Sequence, residues 1–401
     1  MKASKREKID LIVDRGVIVE VIPSLEEFKY RLLNERLRFY IGVDPTSSTL
    51  HLSHAKNYML LEEFRQLGHE VIVLFGDFTS RIGDPTNRES ARQQLGEEEV
   101  RANVNGWLNQ IRPLMDFDAE ENPPRVMYNN DWLSKLTMKD VVDLASNMTV
   151  QRMLERDMFE KRLKENKPIF LHEFMYPLMQ GYDSVAMDVD VELCGTDQIF
   201  NALVGRVLSK RYRKKDKMVV AVNLMENPKT GELMSKSRGT GVFLNLSPFD
   251  MYGSIMSQPD EMIRVFLINN TRLSLDRVNE ILKMPNPRDA KMITAWEIVK
   301  IFHGPAKADE AQKKFVKLVQ NKEIYDDVPE VKIGKQSASL LDILRACFDA
   351  DTSSSQIRCL IKQNAVKING EVGNNFKELI DIPPKGLLIT AGKKRWFKVL
   401  S

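Results

Sequence analysis

The sequence predicts an α/β protein built on a parallel sheet, with an all-α part and a small α+β part after it. Three observations predict this. Arg38-Phe-Tyr-Ile-Gly-Val-Asp44 is a buried-type strand ending in a turn at Pro45, Leu50 to Leu67 carries a helical pattern stopped by Gly68, and His69 to Phe75 is a second apolar strand. A strand, a helix and a strand in this order imply a right-handed crossover between parallel neighbours. The loop from Gly76 to Pro85, rich in Gly, Asp and Thr, then leaves the carboxyl end of the second strand, where open parallel sheets bind ligands.

The later elements follow the same logic. Arg88 to about Lys167 is charged and helical in pattern. Asp188 to Gly195 alternates like a strand and opens into Gly195-Thr-Asp-Gln198, and a further helix ends in the basic run Lys210 to Lys217. Met218 to Leu224 is another strand, followed by a polar loop carrying Met234-Ser-Lys-Ser237. Ser247 to about Val328 is helical, with Pro248 near its first turn, and Glu323 to Gln336 is a Pro- and Gly-containing linker. The remainder predicts two short helices and then strands to Val399. The expected domains are 1–246, with an insertion at about 88–167, then 247–328, and then 337–401.

No apolar run approaches the roughly 20 residues that span a bilayer, and the charged start does not resemble a secretory leader. Cys194, Cys347 and Cys359 are odd in number and lack CxxC spacing, which argues against a disulfide framework or a structural zinc site and fits a cytoplasmic location. From Lys335 onward there are 11 Lys plus Arg against 6 Asp plus Glu, a charge of +5 within a chain total of +3. A basic tail on a near-neutral body suits a polyanion.

Two short motifs carry the chemistry. His51 and His54 stand three residues apart at a helix start, on one face and beside free N–H groups that favour phosphate. Their N–H groups can stabilise charge growing on a pentacoordinate phosphorus. The same pair also suits plain polar residues at a helix terminus, and no third ligand at zinc-protease spacing marks it as a metal site. Lys236, flanked by hydroxyls, can grip polyphosphate as a point charge, although a solvated surface lysine has the same appearance. The combination decides: a PxxxTLHxxH stretch after the first strand, a GxDQ loop after a later one, and MSKS about 180 residues beyond the histidines.

That combination resembles the class I aminoacyl-tRNA synthetases, and in finer detail the tyrosyl-tRNA synthetases. The finer match rests on Tyr40-Ile-Gly-Val-Asp-Pro-Thr46, Ile82-Gly-Asp-Pro85, Tyr176-Pro-Leu-Met-Gln-Gly-Tyr-Asp183 and Gly195-Thr-Asp-Gln198. The resemblance implies a Rossmann-like catalytic domain with a helical insertion, an α-helical anticodon-side domain and an alpha-L-type RNA-binding domain. It implies that tyrosine and ATP, with Mg²⁺, form tyrosyl-adenylate, and that the tyrosine is passed to tRNA(Tyr). The phenol would meet Tyr40 and Asp183, and the ammonium Asp84, Tyr176 and Gln180. Gln198 would lie by the substrate carboxylate, Asp197 and Gly195 by the ribose, and Asp44 and Thr46 by the adenylate. Lys236, Arg88 and Arg92 would clasp pyrophosphate. Lys210 and Arg211 would meet the acceptor stem, and Arg358, Lys362 and Lys367, with Lys393 to Arg395, would meet RNA phosphate. Trp396 suits base stacking or, beside Phe397, packing. The resemblance also implies a homodimer built through 88–167.

Two positions depart from the family pattern. Ser53 stands where the first motif has Gly, and Leu233 where the second has its leading Lys, which removes one positive charge. A tryptophanyl enzyme would share the fold and both motifs, but Tyr40 with Asp183 favours a phenol over an indole. An RNA-binding relative without activation chemistry would explain the two departures, whereas the intact histidines, Lys236 and tyrosine-site positions oppose it. A dinucleotide dehydrogenase would need a GxGxxG after the first strand, and none is there.

Overall fold

The main sheet has six strands, β1 (Ile18–Ile22), β2 (Arg38–Val43), β3 (Glu70–Phe75), β4 (Arg125–Tyr128), β5 (Val191–Gly195) and β6 (Met218–Val222), in the order β1-β6-β5-β2-β3-β4. The computed structural model describes residues 4–83, 96–234, 241–320, 329–348, 352–384, 386–392 and 395–401. From β6 to β4 all neighbours are parallel. The central strands are continuous apolar runs because both faces are covered: β6, Met-Val-Val-Ala-Val, is buried throughout. Two strands are not evident in the sequence pattern. β1 adds an antiparallel edge to β6, and its short, half-exposed pattern gives no clean alternation. β4 lies inside the stretch expected to be helical, and it pairs with β3 from Ile72↔Arg125 to Phe75↔Tyr128.

The first crossover helix runs Leu52–Gln66 and stops where Gly68 takes φ +96°. Its stripe Leu52, Ala55, Met59 and Leu60 faces inward at helical spacing. Phe64 stacks on Phe39 of β2 at 4.6 Å between ring centroids, and Phe28 meets both rings edge-on. Each such ring contributes about 1.5–3 kcal/mol by burial, which fixes the helix on the sheet.

Helices Leu171–Ala186 and Ile199–Arg213 pack closely because glycines sit at their contact. A Cβ on Gly181 would stand 2.9 Å from Leu208 Cδ1 and 3.1 Å from Gly205 N. Helices Met262–Asn270, Leu275–Leu282 and Pro287–His303 belong to the same unit as the sheet. The Arg15 guanidinium donates to the carbonyls of Ile268, Leu273 and Thr271 at 2.6–2.8 Å, satisfying acceptors at the end of the first of these helices.

Two compact units result, Met1–Leu246 with Ser254–Gly304, and Ser247–Gly253 with Pro305–Ser401. The helical stretch is therefore shared between them at Gly304. The second unit carries helices Leu340–Cys347 and Ser354–Lys362 over strands β7 (Glu330–Lys332), β8 (Ser337–Ser339), β9 (Val366–Ile368), β10 (Glu371–Val372), β11 (Leu379–Asp381), β12 (Leu387–Ala391) and β13 (Arg395–Leu400). Five of these form a sheet in the order β10-β9-β12-β13-β7, and β8 pairs with β11. Its core is Leu340, Ile343, Leu344, Ile357, Ile361, Ile389 and Val399. β7 lies within the stretch expected to be a linker, where it pairs in parallel with β13.

Candidate active site

The sheet changes winding direction between β2 and β5: the chain steps from β2 outward to β3 and β4, and later from β5 outward to β6. Crevices at such a point, outside the carboxyl ends of the strands, are the ligand sites of open α/β sheets. A cleft of ≈ 350 Å³ opens there, lined by Gly42, Val43 and Asp44 from β2 and its exit, and by Leu193, Cys194 and Gly195 from β5.

At the end of β2, Asp44 is held by two hydroxyls, Thr79 Oγ1 at 2.7 Å and Tyr176 Oη at 2.8 Å. Gly76 is needed beside it, because a Cβ there would fall 2.1 Å from Asp44 Oδ1 and 2.3 Å from Thr79 Oγ1. Gly195 plays the same part for Asp197, whose Oδ1 would stand 2.5 Å from a Cβ at that position. Thr46, Gln180, Asp183, Asp197 and Gln198 all line the cleft with Tyr176, so these sequence-predicted residues come together.

Asp183 is buried at 3 % exposure and accepts from Trp132 Nε1 at 2.7 Å and Asn129 Nδ2 at 3.3 Å. Burial drives its pKa well above the usual carboxyl range, the two N–H donors oppose the rise, and Asp44 and Glu192 add to it. Both donors follow β4, which gives that unexpected strand its role. Tyr40 is placed differently from Asp183, the residue expected to share the phenol with it. Fully buried behind the cleft wall, its hydroxyl meets Ser184 Oγ at 2.9 Å. Ser184 also accepts from Lys217 Nζ at 2.9 Å, and Lys217 pairs with Glu192. Glu192 in turn accepts from Gln180 Nε2 at 2.9 Å, and Asn201 Nδ2 donates to Gln180 Oε1 and Gln198 Oε1 at 3.0 and 2.8 Å.

The His51 and His54 rings lie with centroids 4.0 Å apart, tilted by 51° to each other. His54 Nδ1 accepts from the His51 backbone N–H at 3.3 Å, which leaves its proton on Nε2. Burial lowers the pKa of His51 to about 4 and that of His54 well below its usual value, where His51 adds to the effect. Both rings are therefore neutral at pH 7, so what they offer is an N–H group and not an imidazolium charge. Helix Glu97–Ile111 straps the loop before them: Asn103 Nδ2 reaches Pro45 O at 2.9 Å, Trp107 Nε1 reaches Ser47 O at 2.6 Å, and Gln110 Oε1 accepts from Leu50 N at 2.8 Å. Backbone bonds Leu52 N to Val242 O and Leu244 N to Leu50 O, both 3.0 Å, tie the chain after MSKS to this loop.

Asp84, Arg88, Arg92, Lys236, Lys393 and Lys394 lie outside the described residues. Lys210 and Arg211 are exposed at the end of their helix, but Lys217, counted in the same basic run, is fully buried and belongs to the network under the cleft. A lysine directly before an all-buried strand was the available signal. In the tail, Arg358, Lys362 and Lys367 are exposed. Trp396 packs against Leu318 and Leu388, the packing alternative of its two roles. Residues that sequence reasoning missed include Lys56, Asn129, Trp132, Ser184 and Glu192. Among them, Lys56 carried a signal, since it falls on the apolar stripe of its helix.

A family model described as tRNA synthetases class I (W and Y) matches residues 32–320. The tyrosine–tRNA ligase of Carboxydothermus hydrogenoformans is 40% identical over 402 residues, covering 97% of each chain. That of Thermotoga maritima is 40% identical over 405 residues, covering 100% of this chain and 96% of its own. Among solved structures, the C-terminally truncated mitochondrial tyrosyl-tRNA synthetase of Aspergillus nidulans aligns with TM-score 0.65 at 24% identity, over 79% of this chain and 94% of its own. The Archaeoglobus fulgidus tyrosyl-tRNA synthetase complexed with L-tyrosine aligns with TM-score 0.59 at 19% identity, over 77% of this chain and 100% of its own. These two alignments bear on the fold.

Proposed function

The chain belongs to the class I tRNA synthetases of the W and Y type and, within them, to the tyrosine–tRNA ligases, and from that premise we propose how its residues activate tyrosine and charge tRNA(Tyr). Tyrosine enters the cleft with its phenol toward Asp183, and Tyr40 joins by exchanging Ser184 for the substrate hydroxyl. Asp84, Tyr176 and Gln180 take the ammonium, and Gln198 lies by the carboxylate. A buried acceptor already fixed by Trp132 and Asn129 supports this orientation, because phenylalanine would leave it unmatched. Tyrosyl-tRNA synthetases as a type are the general example of this effect, the rejection of a substrate that lacks the hydroxyl a site is built to bind.

MgATP binds as substrate on the other side of the cleft, with Asp197 and Gly195 by the ribose and Asp44 and Thr46 by the adenylate. The tyrosine carboxylate attacks the α-phosphorus in line, forming the acyl phosphate bond as the bond to pyrophosphate breaks. His51 and His54 donate N–H groups to the transition state, and Lys236, Arg88 and Arg92 clasp the leaving pyrophosphate. A terminal ribose hydroxyl of tRNA then attacks the tyrosyl carbonyl, and AMP leaves. Lys210 and Arg211 serve the acceptor stem, and Arg358, Lys362 and Lys367 serve RNA phosphate from the tail.

We further propose a homodimer through the insertion and a cytoplasmic location. Exposed apolar side chains of the insertion support the dimer, among them Met138, Val142, Val150 and Leu163. No described helix is long and apolar enough to cross a membrane. The observation that carries the assignment is Asp183, a buried and oriented carboxyl at the switch-point cleft. Tyrosine-dependent ATP–pyrophosphate exchange tests it: exchange lost on Asp183→Ala and on Lys236→Ala is expected, and full exchange in either variant would defeat the residue assignment.

A further inference from the structure

Helix Leu52–Gln66 carries a lysine in the middle of its buried stripe. Lys56 is 3 % exposed, and it lines the cleft beside Ser53, His54, Asn57 and Asp197. Its Nζ donates to Asn57 Oδ1 at 3.0 Å, a neutral acceptor that uses one of three N–H bonds. A buried ammonium whose one hydrogen bond goes to a neutral partner, and which faces a cleft, is costly unless further anionic partners complete it. Charge also locates the group. Lys56 interacts with the carboxylate of Asp197, on the side proposed for the ribose, and with the imidazole of His54, on the side proposed for phosphate. Among the described residues, the other titratable groups round the cleft are Asp44 on the exit of β2, Tyr176 and Asp183 on the Leu171–Ala186 helix, and Glu192 and Cys194 on β5.

We propose that Lys56 is a catalytic residue of this chain that binds the α-phosphate of the nucleotide, supplying positive charge that Leu233 does not. The inference rests on the assignment of this cleft as the nucleotide site. The α-phosphate is the group joined to the ribose 5′ oxygen, so a cation that shares the cleft wall with Asp197 and His54 meets it before the more distant phosphates. Both histidines are neutral and contribute dipoles only, whereas an ammonium contributes net charge where the pentacoordinate phosphorus gathers it.

A proton linkage follows. Burial lowers the Lys56 pKa to about 7, with Asp197 opposing. A bound phosphate anion raises it, so nucleotide binding takes up a proton above pH 7. The KM for ATP then rises with pH above 7 by up to about tenfold per unit, until the pKa of the bound form is reached. Lys56→Met keeps the chain length and the buried position without the charge.

ATP–pyrophosphate exchange at saturating tyrosine, from pH 6 to 9, is compared between the wild type and Lys56→Met, with circular dichroism confirming that both fold. The expected result is a loss of ~10- to 100-fold in kcat/KM for ATP in the variant and a flattened pH dependence of KM. Wild-type exchange with an unchanged variant would overturn the inference. Calorimetry of ATP binding at pH 8, in two buffers of different ionisation enthalpy, reads the proton without turnover. Uptake in the wild type that is absent from Lys56→Met supports the inference even if tyrosine activation itself fails, and equal uptake in both proteins overturns it.

Discussion

Removing the Lys217 ammonium exposes the physics beneath the cleft. Lys217 and Glu192 are 0% and 2% exposed in their side chains, and they are paired. Ser184 Oγ takes a further Lys217 hydrogen bond at 2.9 Å, and Gln180 donates to the other Glu192 oxygen. Lys217→Met keeps the stem and removes the charge, which leaves Glu192 buried with one neutral donor. Breaking a buried pair from one side costs about 3–5 kcal/mol, while replacing both partners by neutral groups of similar shape is close to neutral. The double variant Lys217→Met/Glu192→Gln should therefore recover most of the loss, a coupling of ~3 kcal/mol between the two sites. Urea denaturation followed by tryptophan fluorescence measures it, since three of the four indoles, Trp107, Trp132 and Trp296, sit in the sheet unit. With a slope of about 1–3 kcal/mol per molar urea, the single variant shifts the midpoint by more than ~1 M. A single variant within about 1 kcal/mol of wild type, or a double variant as unstable as the single, would show that the pair is not held as a buried unit.

Other consequences follow from the same geometry. Asp183→Asn should raise the KM for tyrosine about tenfold to 100-fold, because an amide in place of the carboxyl leaves a buried donor of Trp132, Asn129 or the phenol unmatched, worth roughly 1–3 kcal/mol, and it should leave the KM for ATP near wild type. Steady-state exchange kinetics with each substrate varied in turn separate the two. The depressed pKa of His51 means that the unfolded chain binds a proton the folded chain refuses, so its contribution to stability is full above about pH 6.5 and falls as the pH drops toward 4. At pH 5 that loss is about 2 kcal/mol, and His51→Gln should remove it, as thermal melts at pH 7 and 5 would show. Trp107→Phe removes the donor to Ser47 O and should cost about 1 kcal/mol of stability together with a fall in exchange kcat, measured on one preparation.

Much of the architecture was legible because period and punctuation agree. The strand–helix–strand at 38–75 was bounded by Pro45 and Gly68, and the observed helix Leu52–Gln66 falls inside it. Asp44, Gly195, Asp197 and Gln198 were picked out by resemblance to the family's motifs, and they line the cleft because they sit at strand exits. β1 and β4 were not legible, since four or five residues of mixed exposure at a sheet edge carry little period. The place of Tyr40 was hidden for another reason. Alternation along β2 puts Tyr40 on the face opposite Phe39, but whether its hydroxyl meets the cleft or Ser184 depends on a helix about 140 residues away. Lys217 looks solvated by type, and its burial is decided by Glu192 and Ser184 from other elements.

Charging itself is the decisive assay: the full chain incubated with MgATP, tRNA(Tyr) and labelled tyrosine, with phenylalanine and tryptophan in parallel, scored as acid-precipitable aminoacyl-tRNA. A tyrosine–tRNA ligase that reads the phenol through Asp183 incorporates label from tyrosine alone and loses it in Asp183→Ala. Charging by tryptophan, or tRNA binding without charging by any of the three, would be incompatible with that assignment.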